Sequence, residues 1–261
     1  MPLRLSFDDH LTPRPAPAGI DVLCGLKHFA IITYAVPAAR FAGLFPPRFA
    51  LDTVHIGGEA MGLVSVVPFI DVDFTSARYP FPKFTMGQTN YRIYIIDTET
   101  GERCVWFLGT TLDSWTRLVP SLFWRLPWYR GKVRFDCEQD PATGLYRHYR
   151  MHTRAQWAPA SVSLYQPQEE PFAFAGFEDT ETALVYLTHP LAGFYHRRDG
   201  KLGTYRVWHK ALEVRPARLQ SADFGLLSRM GLVSHEEQQH PHSVLIEPLN
   251  QFTIYLPPKV L

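Results

Sequence analysis

Three polar side chains alternate along one stretch of this sequence and could together bind an anion. Gln88, Asn90 and Arg92 are two positions apart, so they share one face if the segment is a β-strand. An arginine on the inner face of a closed sheet is a buried cation that needs a partner. A ligand carboxylate, or the carboxylate of Glu59, could pair with it bidentately. If the face points outward, all three side chains are solvated, and the sequence leaves both orientations open.

Amine chemistry is a second kind that the residue types allow. A lysine attacks a carbonyl carbon only as the neutral amine, so burial or a neighbouring cation must first lower its pKa by several units. None of the six lysines is adjacent to another, so the chain has no lysine pair of the kind that lowers a pKa in this way. The lysines are Lys27, Lys83, Lys132, Lys201, Lys210 and Lys259.

Other catalytic motifs are weak or missing from the sequence. Residues 235–242 contain three histidines, but Pro241 and the polarity of the stretch predict a loop, which gives metal ligands no rigid scaffold. His148 and His152 are four apart on a predicted strand, not on a helix with zinc-protease spacing. Neither a Gly-x-Ser-x-Gly motif nor a phosphate-binding glycine loop occurs. We expect no metal and no cofactor.

The composition is that of a globular protein with little net charge. Hydrophobic residues make up 46% of the 261 residues and charged residues 20%. The 26 basic and 25 acidic residues nearly cancel, so we expect neither nucleic acid nor a membrane as a partner. A small-molecule ligand and further copies of the chain remain as candidate partners.

The cysteines and the apolar runs predict a cytoplasmic protein. Cys24, Cys104 and Cys137 are odd in number and far apart, which favours a reducing compartment over a disulfide framework. Residues 1–19 lack the apolar core of a signal peptide, and the most apolar run, 60–70, is too short to span a bilayer.

Short strands dominate the predicted elements. Residues 1–21 are predicted to be an extended arm, because Pro13, Pro15 and Pro17 exclude a regular helix. Residues 22–261 are predicted to form one domain of roughly nine to twelve strands and three short helices. Few connections are long enough for crossover helices, which favours a mainly β fold: a mostly antiparallel closed barrel or double sheet.

The boundaries of these elements follow from alternation and turn residues. Residues 71–83 and 169–182 are predicted to be irregular. The first of these stretches is predicted to be a loop that packs over another part of the protein. Short helices are predicted at 38–44, at 115–125 after the capping residue Ser114, and at 222–227. Strands are predicted at 20–34, 50–67 as a hairpin around Gly57–Gly58, 88–97, 103–111, 132–139, 144–153, 161–166, 202–214 and 244–256.

Several motifs resemble acetoacetate decarboxylases in the same order along the chain. Ile31–Tyr34, Leu44–Pro47 and Leu51–Asp52 resemble the opening of those enzymes, and Val207–Leu212 resembles a strand of their second half. An uncharacterised bacterial branch of the superfamily, a domain of unknown function, is more similar still. The resemblance covers most of residues 22–257 and implies the acetoacetate decarboxylase-like fold. The motifs shared with that branch are Asn90-x-Arg92-x-Tyr94, Val105–Phe107, Leu126–Trp128, Tyr186–Thr188 and Gly203–His209.

The resemblance places the family's reactive turn at Leu126–Lys132. In acetoacetate decarboxylases this turn carries two lysines, one of which forms a Schiff base with a β-keto acid. Trp128 and Tyr129 stand in their place here, while Pro127 and Gly131 keep the outline of the turn. We therefore expect no Schiff-base decarboxylation. The two aromatic rings either fill the substrate's volume or line a pocket for another ligand.

The resemblance also implies three weak catalytic candidates. Lys27 stands near the family's active-site arginine and would be a carboxylate-binding cation, or else a strand-end lysine. Glu59 belongs to Glu59-Ala60-Met61, which resembles a Glu-x-Met of the family. Lys132 is the lysine nearest to the turn, or else an ordinary surface lysine.

Two functions remain open at this stage. The first is an enzyme that acts on a small carboxylic acid, by lyase-like or other chemistry without a Schiff base. The second is a non-catalytic binding or interaction protein whose barrel is plugged by aromatic side chains. The residues predicted to bind a ligand in the first case are Gln88, Asn90, Arg92, Trp128 and Tyr129.

Overall fold

The computed structural model describes residues 3–117, 121–122 and 124–261. The helices are Phe7–His10, Thr180–Thr188 and Gly225–Arg229, and single 3₁₀ turns occur at Ala38–Phe41, Trp115–Arg117 and Glu237–Gln239. The strands are β1 Val22–Pro37, β2 Phe49–Leu51, β3 Thr53–Ile56, β4 Glu59–Ser76, β5 Phe84–Asp97, β6 Arg103–Leu112, β7 Trp128–Arg130, β8 Lys132–Gln139, β9 Tyr146–Arg154, β10 Ala160–Tyr165, β11 Ala192–His196, β12 Leu202–Trp208, β13 Arg215–Pro216, β14 Arg218–Phe224 and β15 Ser243–Val260.

Seven of these strands pair into a closed ring. The order is β5, β4, β1, β15, β12, β11 and β6, and β6 then pairs with β5 again. Every pair in the ring is antiparallel except β6 with β11. The predicted fold class, mainly β and mostly antiparallel with a closed or double sheet, is confirmed.

A second sheet covers one flank of the ring. It contains β14, β10, β9 and β8 in that order. The core between the two sheets takes Tyr91, Ile93 and Ile95 from β5, together with Tyr149 and Met151 from β9. Because successive side chains of a strand point to opposite faces, the even-numbered residues of β5 point into the ring.

The inside of the ring holds a separate apolar core. Leu63, Val67 and Phe69 of β4 pack there with Phe29 of β1 and Tyr94 of β5. The two cores share their strands, so the alternation along β4 and β5 decides which side chains face the interior.

Two predicted irregular stretches are in fact partly regular. β4 continues to Ser76, so the loop predicted from residue 71 begins only after that strand. The Thr180–Thr188 helix begins within the other stretch, 169–182. Asp179 caps this helix by accepting a 2.7 Å hydrogen bond from the Thr182 amide. The Gly57–Gly58 hairpin turn lies where it was predicted, between β3 and β4.

The N-terminal arm contains one turn of helix, Phe7–His10, ahead of its prolines. The arm is held by Trp208 Nε1, which donates to the carbonyl of Thr12 at 2.9 Å. Of the helix predicted at 115–125, the 3₁₀ turn Trp115–Arg117 is observed, and Leu118–Pro120 and Phe123 lie outside the described residues. None of the helices in the described ranges is long and apolar enough to cross a bilayer.

Candidate functional site

The ring of strands encloses a cavity of about 360 Å³. Its walls are mostly apolar, with a few polar side chains set among them, as is usual for small-molecule sites. The apolar walls include Val22, Leu26, Phe29, Val67, Phe69 and Phe252. The polar lining residues include Asp71, Gln88, Asn90, Arg92, Tyr205 and His209.

Arg92 is the cation of this cavity. Its Nη2 donates to the Leu187 carbonyl at 2.8 Å and to the Tyr94 hydroxyl at 3.3 Å. Its Nε is buried and has no hydrogen-bond partner among the described residues. The predicted pairing with Glu59 is wrong, because Glu59 is exposed at the start of β4. A partly buried guanidinium whose buried Nε–H is unused is a ready donor for a carboxylate.

Gln88 and Asn90 form a short hydrogen-bonded row beside Arg92. Gln88 Nε2 donates to Asn90 Oδ1 at 2.9 Å, and Thr110 Oγ1 donates to the same oxygen at 2.8 Å. These bonds leave the Asn90 amide N–H groups and the Gln88 carbonyl to a ligand. The alternation read from the sequence therefore brings all three predicted side chains to one cavity wall.

Asp71 is a buried acid that sequence analysis missed. It is 2% exposed and lies on the cavity side of β4. Desolvation raises the pKa of its carboxyl to about 8, against a smaller opposing effect of the Cys24 thiol. At neutral pH this carboxyl keeps its proton, and its Oδ2 has no partner within the described part of the chain. The alternation of Val67, Phe69 and Asp71 was the signal that could have identified it.

Tyr205 and His209 were also missed, although both lie in a motif singled out from the sequence. Tyr205 stacks on Phe107 with ring centroids 5.5 Å apart, and burial raises the pKa of its phenol. His209 Nδ1 lies 2.7 Å from the Lys210 carbonyl oxygen, and burial lowers the pKa of its imidazole to about 3. Both groups are uncharged at neutral pH, so they add polarity to the cavity without adding charge.

The two aromatic residues of the turn point in different directions. Trp128 is among the residues that line the cavity. Tyr129 does not line it, and instead stacks on Trp157 with centroids 4.0 Å apart, with Arg198 over its other face. They are neighbours on β7 and so face opposite sides. The turn needs a glycine at position 131, because a Cβ there would lie only 2.2 Å from Thr111 Cγ2.

The lysines lie away from the cavity. Lys27 and Lys132 are exposed, and so are the other four, all of which fall in the described ranges. None of the six lines the cavity, so Lys27, Lys132 and Glu59 are not brought together with Arg92. The residues described here also contain no group of three or more His, Cys, Asp or Glu side chains arranged to hold a metal.

Solved structures with the same fold are acetoacetate decarboxylase-like. An acetoacetate decarboxylase-like enzyme from Sphingomonas wittichii RW1 has 11% identity and a TM-score of 0.58, covering 94% of both chains. The acetoacetate decarboxylase of Legionella pneumophila has 14% identity and a TM-score of 0.56, covering 98% of this chain and 94% of that one. The enduracididine biosynthesis enzyme MppR, complexed with pyruvate, has 11% identity and a TM-score of 0.52, covering 94% and 91%.

At these identities the likeness establishes a shared fold and no shared chemistry. A search of curated proteins returns no match. A family model described as an uncharacterized conserved protein, DUF2071, matches residues 24–249. That match spans most of the sequence, so the chain belongs to the DUF2071 family, and its fold is acetoacetate decarboxylase-like.

Proposed function

We propose that the chain binds a small organic acid inside the ring of strands, with the ligand carboxylate on Arg92. The observation that carries the proposal is the buried, unpartnered Nε of Arg92 in a cavity with apolar walls. A buried N–H donor without an acceptor is costly, and a carboxylate would satisfy both this N–H group and the charge of the partly buried guanidinium.

The charge balance of the cavity supports a singly charged ligand. Asp71 keeps its proton at neutral pH, and His209 stays unprotonated, for the reasons of burial given above. Arg92 is then the one charged side chain among the described lining residues. A site of net charge near +1 with apolar walls favours a monocarboxylate with an apolar body.

The proposal includes the absence of Schiff-base chemistry. All six lysines are exposed and none lines the cavity, so none is positioned to attack an acid bound there. MppR, whose structure holds pyruvate, offers a comparison in ligand class only. If the chain is an enzyme, it would catalyse a lyase-like or other reaction of the acid, and the acidic and basic side chains that line the cavity would take part in that reaction.

The alternative, a plugged ring with an interaction role, is less well supported. Trp128 forms part of the wall, and a cavity of about 360 Å³ is present beside it. Tyr129 packs on Trp157 and so does not occupy that space.

Two measurements test the proposed function together. Calorimetric titration with a panel of monocarboxylates and their neutral amides should show binding of acids and at least tenfold weaker binding of the matching amides. Incubation with acetoacetate or pyruvate followed by borohydride should leave the mass of the protein unchanged. Equal binding of acids and amides, or no binding of either, contradicts the carboxylate site. An adduct on Lys27 or Lys132 contradicts the exclusion of lysine chemistry.

A further inference from the structure

Arg92 and Asp71 lie at different levels of the same cavity. In the register between β4 and β5, Arg92 is opposite Ser65 and Asp71 is opposite Met86. The two levels are six residues apart along β4, which corresponds to about 20 Å of extended strand. Gln88 and Asn90 lie between them, so the polar side chains form a line along one wall.

The two ends of this line differ in access. Beyond Asp71, the cavity is lined by Phe74, Phe84 and Trp115, and the last of these is 70% exposed. At the Arg92 end, the Thr188–Ala192 segment and His209 line the wall. A ligand carboxylate on Arg92 would therefore lie deep in the cavity, with the body of the ligand directed past Asp71 toward the mouth.

Asp71 has no cation beside it among the described residues, and the thiol of Cys24 is its polar neighbour. The titratable groups that face it are the Cys24 thiol on β1 and the Tyr205 phenol on β12, and neither is a cation. It takes part in none of the salt bridges observed between described residues, and its Oδ2 accepts no hydrogen bond there. A protonated carboxyl offers one O–H donor, and a buried donor is stabilised by an uncharged acceptor oxygen.

We propose that Asp71 is a second, uncharged anchor, and that the ligand is an unbranched acid of about ten carbons carrying a neutral acceptor oxygen, such as a ketone, near its far end. This inference rests on the proposed function, because it takes the carboxylate site at Arg92 as given. It excludes a dicarboxylate, whose second charge would be placed beside Asp71 without a cation.

The size of the cavity agrees with this ligand. A volume of about 360 Å³ holds about a dozen water-sized groups, which is the number of heavy atoms in such an acid. An extended chain of about ten atoms spans on the order of 12 Å, and a hydrogen bond adds about 3 Å at each end. The sum is close to the roughly 20 Å of β4 backbone between the levels of Arg92 and Asp71. Short keto acids would reach Arg92 but not Asp71.

The test compares chain length and the second oxygen separately. Unbranched acids of six to fourteen carbons are titrated against the protein at pH 6.5. For each chain length, the plain acid is compared with the acid that carries a ketone at the penultimate carbon and with the dicarboxylate. Near ten carbons the ketone should tighten binding by roughly three- to tenfold, as expected for one added hydrogen bond. The dicarboxylate should bind more weakly than the plain acid.

Two variants identify the anchor. Asp71→Asn keeps an N–H donor and should keep the preference for the ketone, whereas Asp71→Leu should abolish that preference and still bind the plain acid. Three outcomes overturn this inference alone: the ketone does not tighten binding at any chain length, it tightens binding most at the shortest length, or it still tightens binding in Asp71→Leu. Failure of every acid to bind overturns the proposed function and this inference together.

Discussion

Arg92 Nη2 donates a 2.8 Å hydrogen bond to the backbone carbonyl of Leu187, one residue before the end of the Thr180–Thr188 helix. The last carbonyls of a helix have no intrahelical partner and carry the negative end of the helix dipole. Tyr94 donates to the same carbonyl at 3.0 Å. The helix end therefore holds the cation in place while its Nε stays available to a ligand.

Replacing Arg92 should remove acid binding without unfolding the chain. In Arg92→Gln the charge-assisted bond to a carboxylate is lost, which is worth about 1.5–3 kcal/mol, or roughly ten- to a hundredfold in affinity. The Leu187 carbonyl keeps its bond from Tyr94, so the melting temperature should fall only slightly. Arg206→Gln is the matched control, because Arg206 is exposed and pairs with Glu102. Equal weakening in both variants would argue against the site.

A lysine introduced at the turn should restore the missing amine chemistry at one position only. Trp128 lines the cavity and Tyr129 does not, so the amine of Trp128→Lys would enter a desolvated space near Arg92. Both effects lower a lysine pKa. Borohydride reduction with pyruvate should then give a mass adduct in Trp128→Lys and none in Tyr129→Lys, after circular dichroism shows that both variants are folded. Adducts in both variants, or in neither, would contradict this assignment of the two side chains.

The strand pattern could be predicted from the sequence where side chains alternate between different environments. On β5, polar side chains alternate with apolar ones. The structure places Gln88, Asn90 and Arg92 on one face of this strand and Tyr91 and Ile93 on the other. Alternation alone could not decide which face was inside, because both faces of this strand are largely covered.

The parts of the site that could not be predicted depend on long-range closure. Asp71 was assigned to a loop because prolines and aromatic residues follow it, yet pairing with β5 as far as Phe74 and with β1 as far as Ser76 extends the strand. The helix end that binds Arg92 is 95 positions away in sequence, and no local pattern encodes that contact. Lys27 and Lys132 were chosen by position in a resemblance, and position does not specify which way a strand residue faces.

The buried carboxyl of Asp71 should make the fold less stable as pH rises. Its folded-state pKa of about 8 lies above the ordinary carboxyl value of 3.8, so the folded state binds more protons between those values. The contribution of Asp71 to the free energy of unfolding should therefore fall from about pH 4 to about pH 8, by up to about 1.4 kcal/mol for each pH unit.

The variant Asp71→Asn should remove this dependence. Urea denaturation should give similar midpoints for the variant and the wild type at pH 4.5, and a higher midpoint for the variant at pH 8. The control is Asp73→Asn, because Asp73 is exposed and pairs with Lys83. A variant whose advantage does not grow with pH would show that Asp71 is ionised in the folded state.

His209 should act in the opposite direction at low pH. Burial lowers its folded-state pKa to about 3 from 6.5, so the unfolded chain takes up the proton first as pH falls. Its neighbours His189, 4.9 Å away, and Arg92 also disfavour a charge there. The contribution of His209 to the free energy of unfolding should drop between about pH 6.5 and about pH 3, by up to about 1.4 kcal/mol for each pH unit, and it opposes that of Asp71 where the two ranges overlap.

The variant His209→Asn should lack the loss of stability that His209 causes as pH falls. The variant loses the stack on Phe252, whose ring centroid is 4.4 Å from that of the imidazole, so at pH 7 it should be less stable by about 1–2 kcal/mol. As pH is lowered from 6.5 to 4, its urea midpoint should rise relative to that of the wild type, because only the wild type carries the His209 contribution. His55→Asn, at an exposed position on β3, should follow the wild type throughout. If His209→Asn loses stability as steeply as the wild type on acidification, another group carries the acid sensitivity.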